Sequence, residues 1–305
     1  MSPPGPLVAV VVVQYGPEGP CEACLESIRR SKGVRVLPVL VDNSACGSAA
    51  LRSAVEALGG IHLARPDNPG FAAGANAGLR AVLEAARPDV LAVLNADIRL
   101  APDCLRILHA VLTSHPDAGI AGPGLLSEDD PERWWNVGGE VLWPSGSPRS
   151  WLHGILREGG PIEIRDTGFV CGSVLAFRPD LIERAGPLPE RYFLYFEDAE
   201  FSLRARAAGF RTIVCPEALA WHRGGAAVED APHLAAYYRA RNRLIFSRDW
   251  NPHRVRGRIH RALFALRALA SSLVRSRAGL RREPPFLARA VLDYVLGRSG
   301  KGPFR

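Results

Sequence analysis

The hydrophobic positions of this chain change period repeatedly over its first 120 residues. "LVAVVVVQY" (residues 7–15) is a continuous apolar, β-branched run, the pattern of a strand buried on both faces of a parallel sheet. A helical pattern follows over residues 20–31. "VRVLPVLVDNS" is a second strand ending at Asp42, "LRSAVEALGG" a helix stopped by glycines, and "IHLARP" a short third strand. "GFAAGANAGLRAVLEAA" reads as a helix ended by Pro88, and "DVLAVLNAD" as a fourth strand ending at Asp97. "PDCLRILHAVLTSHP" is a further helix with Pro102 in its first turn. Four strand–helix alternations predict an α/β domain with a mostly parallel central sheet covered by helices. Ligands of such sheets bind beyond the carboxyl ends of the strands. Asp42, the segment 67–70 and Asp97 all fall there.

The pattern loosens afterwards. Residues 127–165 hold four Trp among Gly, Pro and Ser and predict irregular structure with short strands. "GFVCGSVLAFRPDLIERAG" is strand-like and then helical, "YFLYFEDAEFSLRARAAGF" leads into an amphipathic helix, and "RTIVCPEALAWH" is a strand and loop ending at His222. Beyond residue 250 the chain reads as helical, with Ile259, Leu263, Leu266 and Leu273 at helical spacing. The expected organisation is a catalytic or binding domain over 1–250 and a basic helical extension over 251–305.

Gly70, Gly74 and Gly78 recur every fourth residue, on one side of the helix they occupy. Glycine inside a helix costs about 1 kcal/mol relative to alanine. Close approach of another backbone or of a ligand is the usual return for that cost. Packing against the sheet and contact with a ligand are both open for Gly74 and Gly78.

Three clusters could carry chemistry. Asn95 and Asp97 stand two apart at a strand end, facing one space, where they could bind a divalent cation or a ribose or cap the next helix. Glu197, Asp198 and Glu200 open a helix, where the dipole favours acids, yet they sit among Tyr192, Phe193, Tyr195, Phe196 and Phe201. Carboxylates beside an aromatic cluster are candidates for acid–base work, and the dipole would keep one ionised as a base. His222 follows a strand and precedes two glycines; it is either structural or a partner of Asp97 on a metal, with imidazole favouring Mn²⁺ over Mg²⁺. "QYGPEGP" lacks the glycine spacing of a dinucleotide site, and neither a P-loop lysine motif nor a G-x-S-x-G elbow occurs.

Composition adds one asymmetry. The chain of 305 residues is 47% hydrophobic and 23% charged, as in an ordinary globular protein, with net charge +7. Thirteen Lys and Arg against Glu283 and Asp293 give residues 251–305 a charge of +11, leaving −4 for residues 1–250. A basic tail suits an anionic surface, and the acidic body argues against nucleic acid. Of six cysteines only Cys21 and Cys24 form a C-x-x-C, without a second pair at zinc spacing, so reduced thiols are expected. The N-terminal run lacks a basic flank, and no apolar run reaches membrane-spanning length. A cytoplasmic location is expected, with peripheral contact at the inner face of the plasma membrane as an option for the tail. The tail reads equally as a solvated helical cap or a dimerisation element.

The ordered set "VVVQY", "VDNSACGS", "DNPGFAAGANAGL", "LNADI", "GPLPERYFLYFEDAEFSLRARAAGF", "PEALAWH" and "YYRARNRLIF" resembles the family 2 glycosyltransferases of the GT-A fold, near their rhamnosyltransferase-like branch, over residues 7–248. The resemblance implies inverting, metal-dependent transfer of a sugar from a nucleotide-diphosphate donor to a glycan, a lipid-linked glycan or a natural product. It favours dTDP-rhamnose and leaves UDP-sugars open. It implies that Tyr15 and Asp42 hold the nucleotide and that Asn68, Gly70, Asn76 and Asn95 line the donor site. Asp97 and His222 would hold Mn²⁺ or Mg²⁺, and Asp198 would be the catalytic base. Arg241 and Asn242 would approach the diphosphate. This chain has Asn-Ala-Asp where many relatives have Asp-x-Asp, so only Asp97 is acidic there. The alternative is an inactive nucleotide-sugar-binding or scaffolding homologue.

Overall fold

The computed structural model describes residues 5–157, 163–224, 232–277 and 286–304. The first half runs β1 (Leu7–Gln14), α1 (Glu18–Arg29), β2 (Arg35–Asp42), α2 (Ala49–Ala57), β3 (Ile61–Ala64), α3 (Phe71–Ala85), β4 (Val90–Asn95), β5 (Ile98–Leu100) and α4 (Cys104–Ser114). Then come β6 (Ala118–Ser127), β7 (Trp134–Asn136), β8 (Gly139–Leu142), β9 (Ser147–Ser150), β10 (Arg165–Asp166), β11 (Val174–Phe177), α5 (Asp180–Ala185), α6 (Glu197–Ala207) and β12 (Arg211–His222). The chain closes with α7 (Pro232–Trp250), α8 (Arg254–Arg277) and α9 (Phe286–Val295).

One sheet in the order β10-β12-β6-β11-β4-β1-β2-β3 organises the molecule, with β5 joined to β12 and β7 to β6. β1 pairs in parallel with β2 and β4, and β2 with β3. β11 enters antiparallel between β4 and β6. The apolar run of β1 is buried on both faces. Val8, Val10 and Val12 meet Cys21, Leu25 and Ile28 of α1 and Leu105 and Leu108 of α4. Ala9, Val11 and Val13 meet Ala75, Leu79 and Val82 of α3 and Phe201 of α6. Cys21 and Cys24 belong to that packing, and burial pushes the Cys21 thiol up to about 12.

The glycine stripe of α3 is explained by this layer. A Cβ at Gly78 would stand 2.4 Å from Val11 Cγ1, and one at Gly74 3.1 Å from Val13 Cγ1 and Asn43 Nδ2. What approaches is the sheet itself. Gly70 differs: φ is +97° and its Cβ would meet the Phe193 carbonyl at 2.6 Å.

One expectation shifts, and one strand, β6, goes unmarked in the sequence. The fourth strand stops at Asn95, and Asp97 occupies the turn before β5, so the two side chains do not alternate along one strand. β6, "AGIAGPGLLS", carried no strand pattern because its glycines serve packing: Cβ atoms at Gly119, Gly122 and Gly124 would collide with Phe210, Val170 and Trp134. The basic extension is also bound to the body. Tyr237 of α7 donates its hydroxyl to Asp293 of α9 at 2.7 Å, and Arg241 Nη2 donates to Gly300 O at 2.8 Å. The boundary at 250/251 therefore does not separate two independent bodies. Residues 278–285 and the side chain of Leu273 lie outside the described residues. No described helix is long and apolar enough to cross a membrane.

Gly78→Val should lower stability by about 2 kcal/mol, because overpacking outweighs any local gain. Gly19→Ala in α1, whose Cβ meets nothing within 4 Å, should leave it unchanged or raise it by up to about 1 kcal/mol. Urea denaturation midpoints measure both, and a neutral Gly78→Val would refute sheet contact as the reason for the stripe.

Candidate active site

The carboxyl ends of β1, β2 and β4 lie side by side, since Gln14 pairs with Asp42 and Val13 with Asn95. Asp42 is fully buried, and its carboxylate accepts the Ser44 N–H at 2.9 Å and the Ser48 N–H at 3.0 Å. It thereby shapes the loop that carries Ser48 as N-cap of α2. Tyr15, just past β1, is half exposed. Asn68, at φ +41°, accepts the Gly70 N–H at 3.2 Å and forms the turn into α3. Asn43 was not singled out by sequence. Its Nδ2 donates to Gly70 O at 3.2 Å, tying the β2 loop to the α3 turn, while its buried Oδ1 has no partner among the described residues.

β5 carries Asp97 to His222. The two strands pair antiparallel with Ile98 opposite His222, and the Arg223 N–H donates to Asp97 O at 3.2 Å. His222 Nε2 then sits 3.3 Å from Asp97 Oδ1, both side chains about nine-tenths buried. The contact is off-line for a hydrogen bond, and Nε2 has no other partner among the described residues. Ser173 Oγ lies 3.5 Å from His222 Nδ1, and Trp135 meets the ring edge-on at 4.8 Å. An orphaned imidazole nitrogen beside a carboxylate oxygen fits a shared divalent cation. Among the described residues no third His, Cys, Asp or Glu joins them, so the remaining ligands would be water and substrate oxygens, as suits Mn²⁺ or Mg²⁺.

Asp198 stands in the first turn of α6. Its Oδ2 accepts the Gly172 N–H at 2.8 Å and its Oδ1 the Ala199 N–H at 2.7 Å. Residues 172 and 173 thus link Asp198 to His222. Desolvation raises the Asp198 carboxyl above its ordinary range, and the two N–H donors pull it back. Glu197 is 6% exposed, and its Oε2 has no partner among the described residues. Desolvation, with the Asp198 charge added, lifts its pKa. With Glu197 Oε2 unpartnered among the described residues and two backbone N–H groups on Asp198, a proton shared by the pair is favoured on Glu197. Glu200, the third acid, is structural: it is 1% exposed and binds Arg191, Tyr192 Oη and Arg204.

The approach to Asp198 is strained. Phe193, Tyr195 and Phe196 hold φ of 68°, 67° and 80°. Each such residue costs about 1–3 kcal/mol unless its surroundings impose it. Asn242 Nδ2 reaches Tyr192 O at 3.0 Å, Leu194 O at 2.7 Å and Tyr195 O at 3.1 Å. Arg241 Nη2 adds Tyr192 O at 3.1 Å, and the Phe71 N–H donates to Phe193 O at 2.9 Å. Expectations for three residues are corrected here, the first being Asn242, which is fully buried and spends its amide on those carbonyls rather than on a diphosphate. Arg241 is 1% exposed and spends its guanidinium on Tyr192, Tyr237, Asn242 and Gly300, leaving nothing for a diphosphate. Asn76, 2% exposed, bonds Leu188 through both side-chain ends and also donates to Glu190, so it fastens a loop rather than facing a donor.

Two substitutions probe this geometry. Glu197 has its pKa raised by folding, so its neutral form stabilises the protein at low pH and that contribution is lost as pH rises through the raised value. Glu197→Gln should flatten the decline of stability above the ordinary carboxylate range; an unchanged slope in chemical denaturation across pH would reject the burial argument. Asn242→Ala should cost about 2–3 kcal/mol, the penalty of stripping donors from buried carbonyls; a change below about 0.5 kcal/mol by thermal unfolding would show that the strained loop stands without it.

Comparison with known proteins accords with this architecture. The chain is 27% identical over 312 residues to the N-acetylglucosaminyl-diphospho-decaprenol L-rhamnosyltransferase of Mycobacterium tuberculosis, covering 96% of this chain and 99% of that protein. A mannosyltransferase of Pyrobaculum calidifontis, solved with GDP-Man and Mn²⁺, superposes with a TM-score of 0.58 at 18% identity, over 97% of this chain and 88% of that one. S. aureus TarS, solved with UDP-GlcNAc, gives 0.55 at 16% identity, over 84% and 71%. These likenesses establish the GT-A fold. Residues 3–247 match the profile described as "Glycosyltransferase like family 2". With that match over most of its length, the chain belongs to the family 2 glycosyltransferases.

Proposed function

We propose that this glycosyltransferase moves a sugar, with inversion, from a nucleotide-diphosphate donor to a hydroxyl of a lipid-linked glycan. The observation that carries the reading is His222 Nε2, without a hydrogen-bond partner among the described residues, 3.3 Å from Asp97 and linked through residues 172 and 173 to Asp198. The similarity to a rhamnosyltransferase acting on a diphospho-decaprenol acceptor favours a dTDP-rhamnose donor and a lipid-linked acceptor. UDP-sugars are the alternative donors.

Tyr15, Asp42 and its loop, Asn43 and the Asn68–Gly70 turn form the donor end of the site. A divalent cation held by Asp97 and His222 would neutralise charge growing on the leaving diphosphate. The acceptor hydroxyl oxygen attacks the anomeric carbon as its proton passes to an oxygen of Asp198. The bond from that carbon to the diphosphate oxygen breaks on the opposite face, and the diphosphate leaves with the electron pair. Attack opposite the leaving group inverts the configuration. Glu197 takes the pair's proton at rest and leaves Asp198 ionised to act as base.

Asp198→Asn should lower turnover about 10²–10⁴-fold, the usual contribution of a general base, with donor binding kept. Wild-type turnover in that variant would reject the assignment. Calorimetric titration of dTDP, UDP and GDP should give Mn²⁺-dependent binding of one nucleotide, weakened by His222→Ala. Absence of any nucleotide binding would favour the inactive, scaffolding reading instead.

A further inference from the structure

Helix α8 has two apolar faces, and only one is packed among the described residues. Phe264 and Ala268 pack against Leu244 of α7 and Val291 of α9, and Arg261 Nη1 donates to Ser247 O at 2.9 Å. At about 100° per residue, Val255, Ile259, Leu263, Leu266 and Leu269 fall in a stripe about 120° wide, centred opposite that packed face. All five are exposed, Val255 and Leu266 at 63% each. The same turn angle places Arg256 and Arg267 on one flank of the stripe and Arg254 and Arg258 on the other, all four exposed. No Asp or Glu occurs anywhere between Arg254 and Arg277. The neighbouring helix α9 likewise leaves Leu292, Val295 and Leu296 exposed on the side away from its buried Phe286 and Ala290.

We infer that the exposed face of α8 lies in the headgroup region of an anionic phospholipid bilayer, with the apolar stripe inserted and the flanking arginines on lipid phosphates. An apolar stripe edged on both sides by cations, lying along the surface rather than spanning, is the pattern of an interfacial helix. The charge decides the occupant. A second copy of this chain would bring an equally acid-free, arginine-flanked face against this one, whereas anionic lipid complements it. Scattered exposed apolar residues are ordinary on any surface, but five in one stripe, with their own basic border, are not scattered. The purpose of the contact rests on the reading of a lipid-linked acceptor, which would deliver the sugar-accepting hydroxyl at the same surface.

The test is co-sedimentation of the full chain with vesicles of phosphatidylglycerol and phosphatidylcholine, against vesicles of phosphatidylcholine alone. The anionic vesicles should bind at least tenfold more protein, and added salt should weaken the binding. Ile259→Glu with Leu266→Glu, both exposed, should reduce binding at least tenfold with the melting temperature unchanged. Asp198→Asn should bind vesicles like the wild type, so that a failure of the catalytic reading and a failure of this one are told apart. The inference is overturned if the wild type ignores anionic vesicles at low salt, or if the glutamate variant binds them equally well. It is also overturned if the wild type sediments as a dimer that the variant converts to a monomer, since the stripe would then be covered by a second copy.

Discussion

The pairing of β12 with β5, His222 opposite Ile98, is the constraint on which the site depends. Asp97 and His222 are separated by more than a hundred residues of chain, and the proposed cation site would need both. A strand register is an all-or-nothing device: one residue of slippage would turn His222 to the other face of the sheet. β12 is held in that register from both sides, by β5 and by the long parallel pairing with β6 that continues to Ser127 opposite His222. The register of β12 against β6 jumps between Cys215 and Leu219. Such an irregularity re-aims the remainder of a strand, and here the re-aimed stretch is the one that delivers His222.

A second constraint acts on the carboxylate end. The loop of residues 192–196 occupies backbone conformations that its aromatic residues do not choose for themselves, and it is held from three directions. Asn242 and Arg241 hold its carbonyls from α7, Phe71 donates to it from α3, and Gly300 accepts from Arg241 while donating its own N–H to Arg191 O at 2.6 Å. The donor-side turn at Gly70 packs directly on Phe193. The turn that would meet the nucleotide and the loop that leads to Asp198 therefore form one mechanical unit. This is why the C-terminal segment cannot be treated as an appendage: it supplies one wall of that unit.

Sequence pattern reached the parts of this structure where local chemistry and tertiary use coincide. β1 is apolar without alternation because α1 and α4 cover one face and α3 the other. The stripe Gly74–Gly78 could be seen as a close approach, but whether strand or ligand approached was not readable, because both demand an absent Cβ. β6 was illegible for the opposite reason: its glycines are selected by Phe210, Val170 and Pro216, which lie far away in sequence, and by Trp134. Arg241 and Asn76 misled because a polar side chain in a motif has the same letters whether it faces a ligand or a buried carbonyl. Only burial and partners separate the two. Asn43 and Ser173 went unmarked, and Asn242 was given the wrong partner, since each acts by bridging segments that the sequence does not place side by side.

The acids at the start of α6 carry that point furthest. Glu197, Asp198 and Glu200 share one helical turn and one dipole, and by sequence they are nearly equivalent. Their surroundings divide them. Glu200 is neutralised by Arg191 and Arg204 and becomes a strut. Glu197 is buried with Oε2 unpartnered among the described residues, and desolvation favours its neutral form. Asp198 alone combines partial exposure with two backbone donors, which favour its charged form against the desolvation that raises it. A base needs ionisation and access together. Glu197 is less suited on the first count and Glu200 on the second, which is why the proposed reading gives the role of base to Asp198.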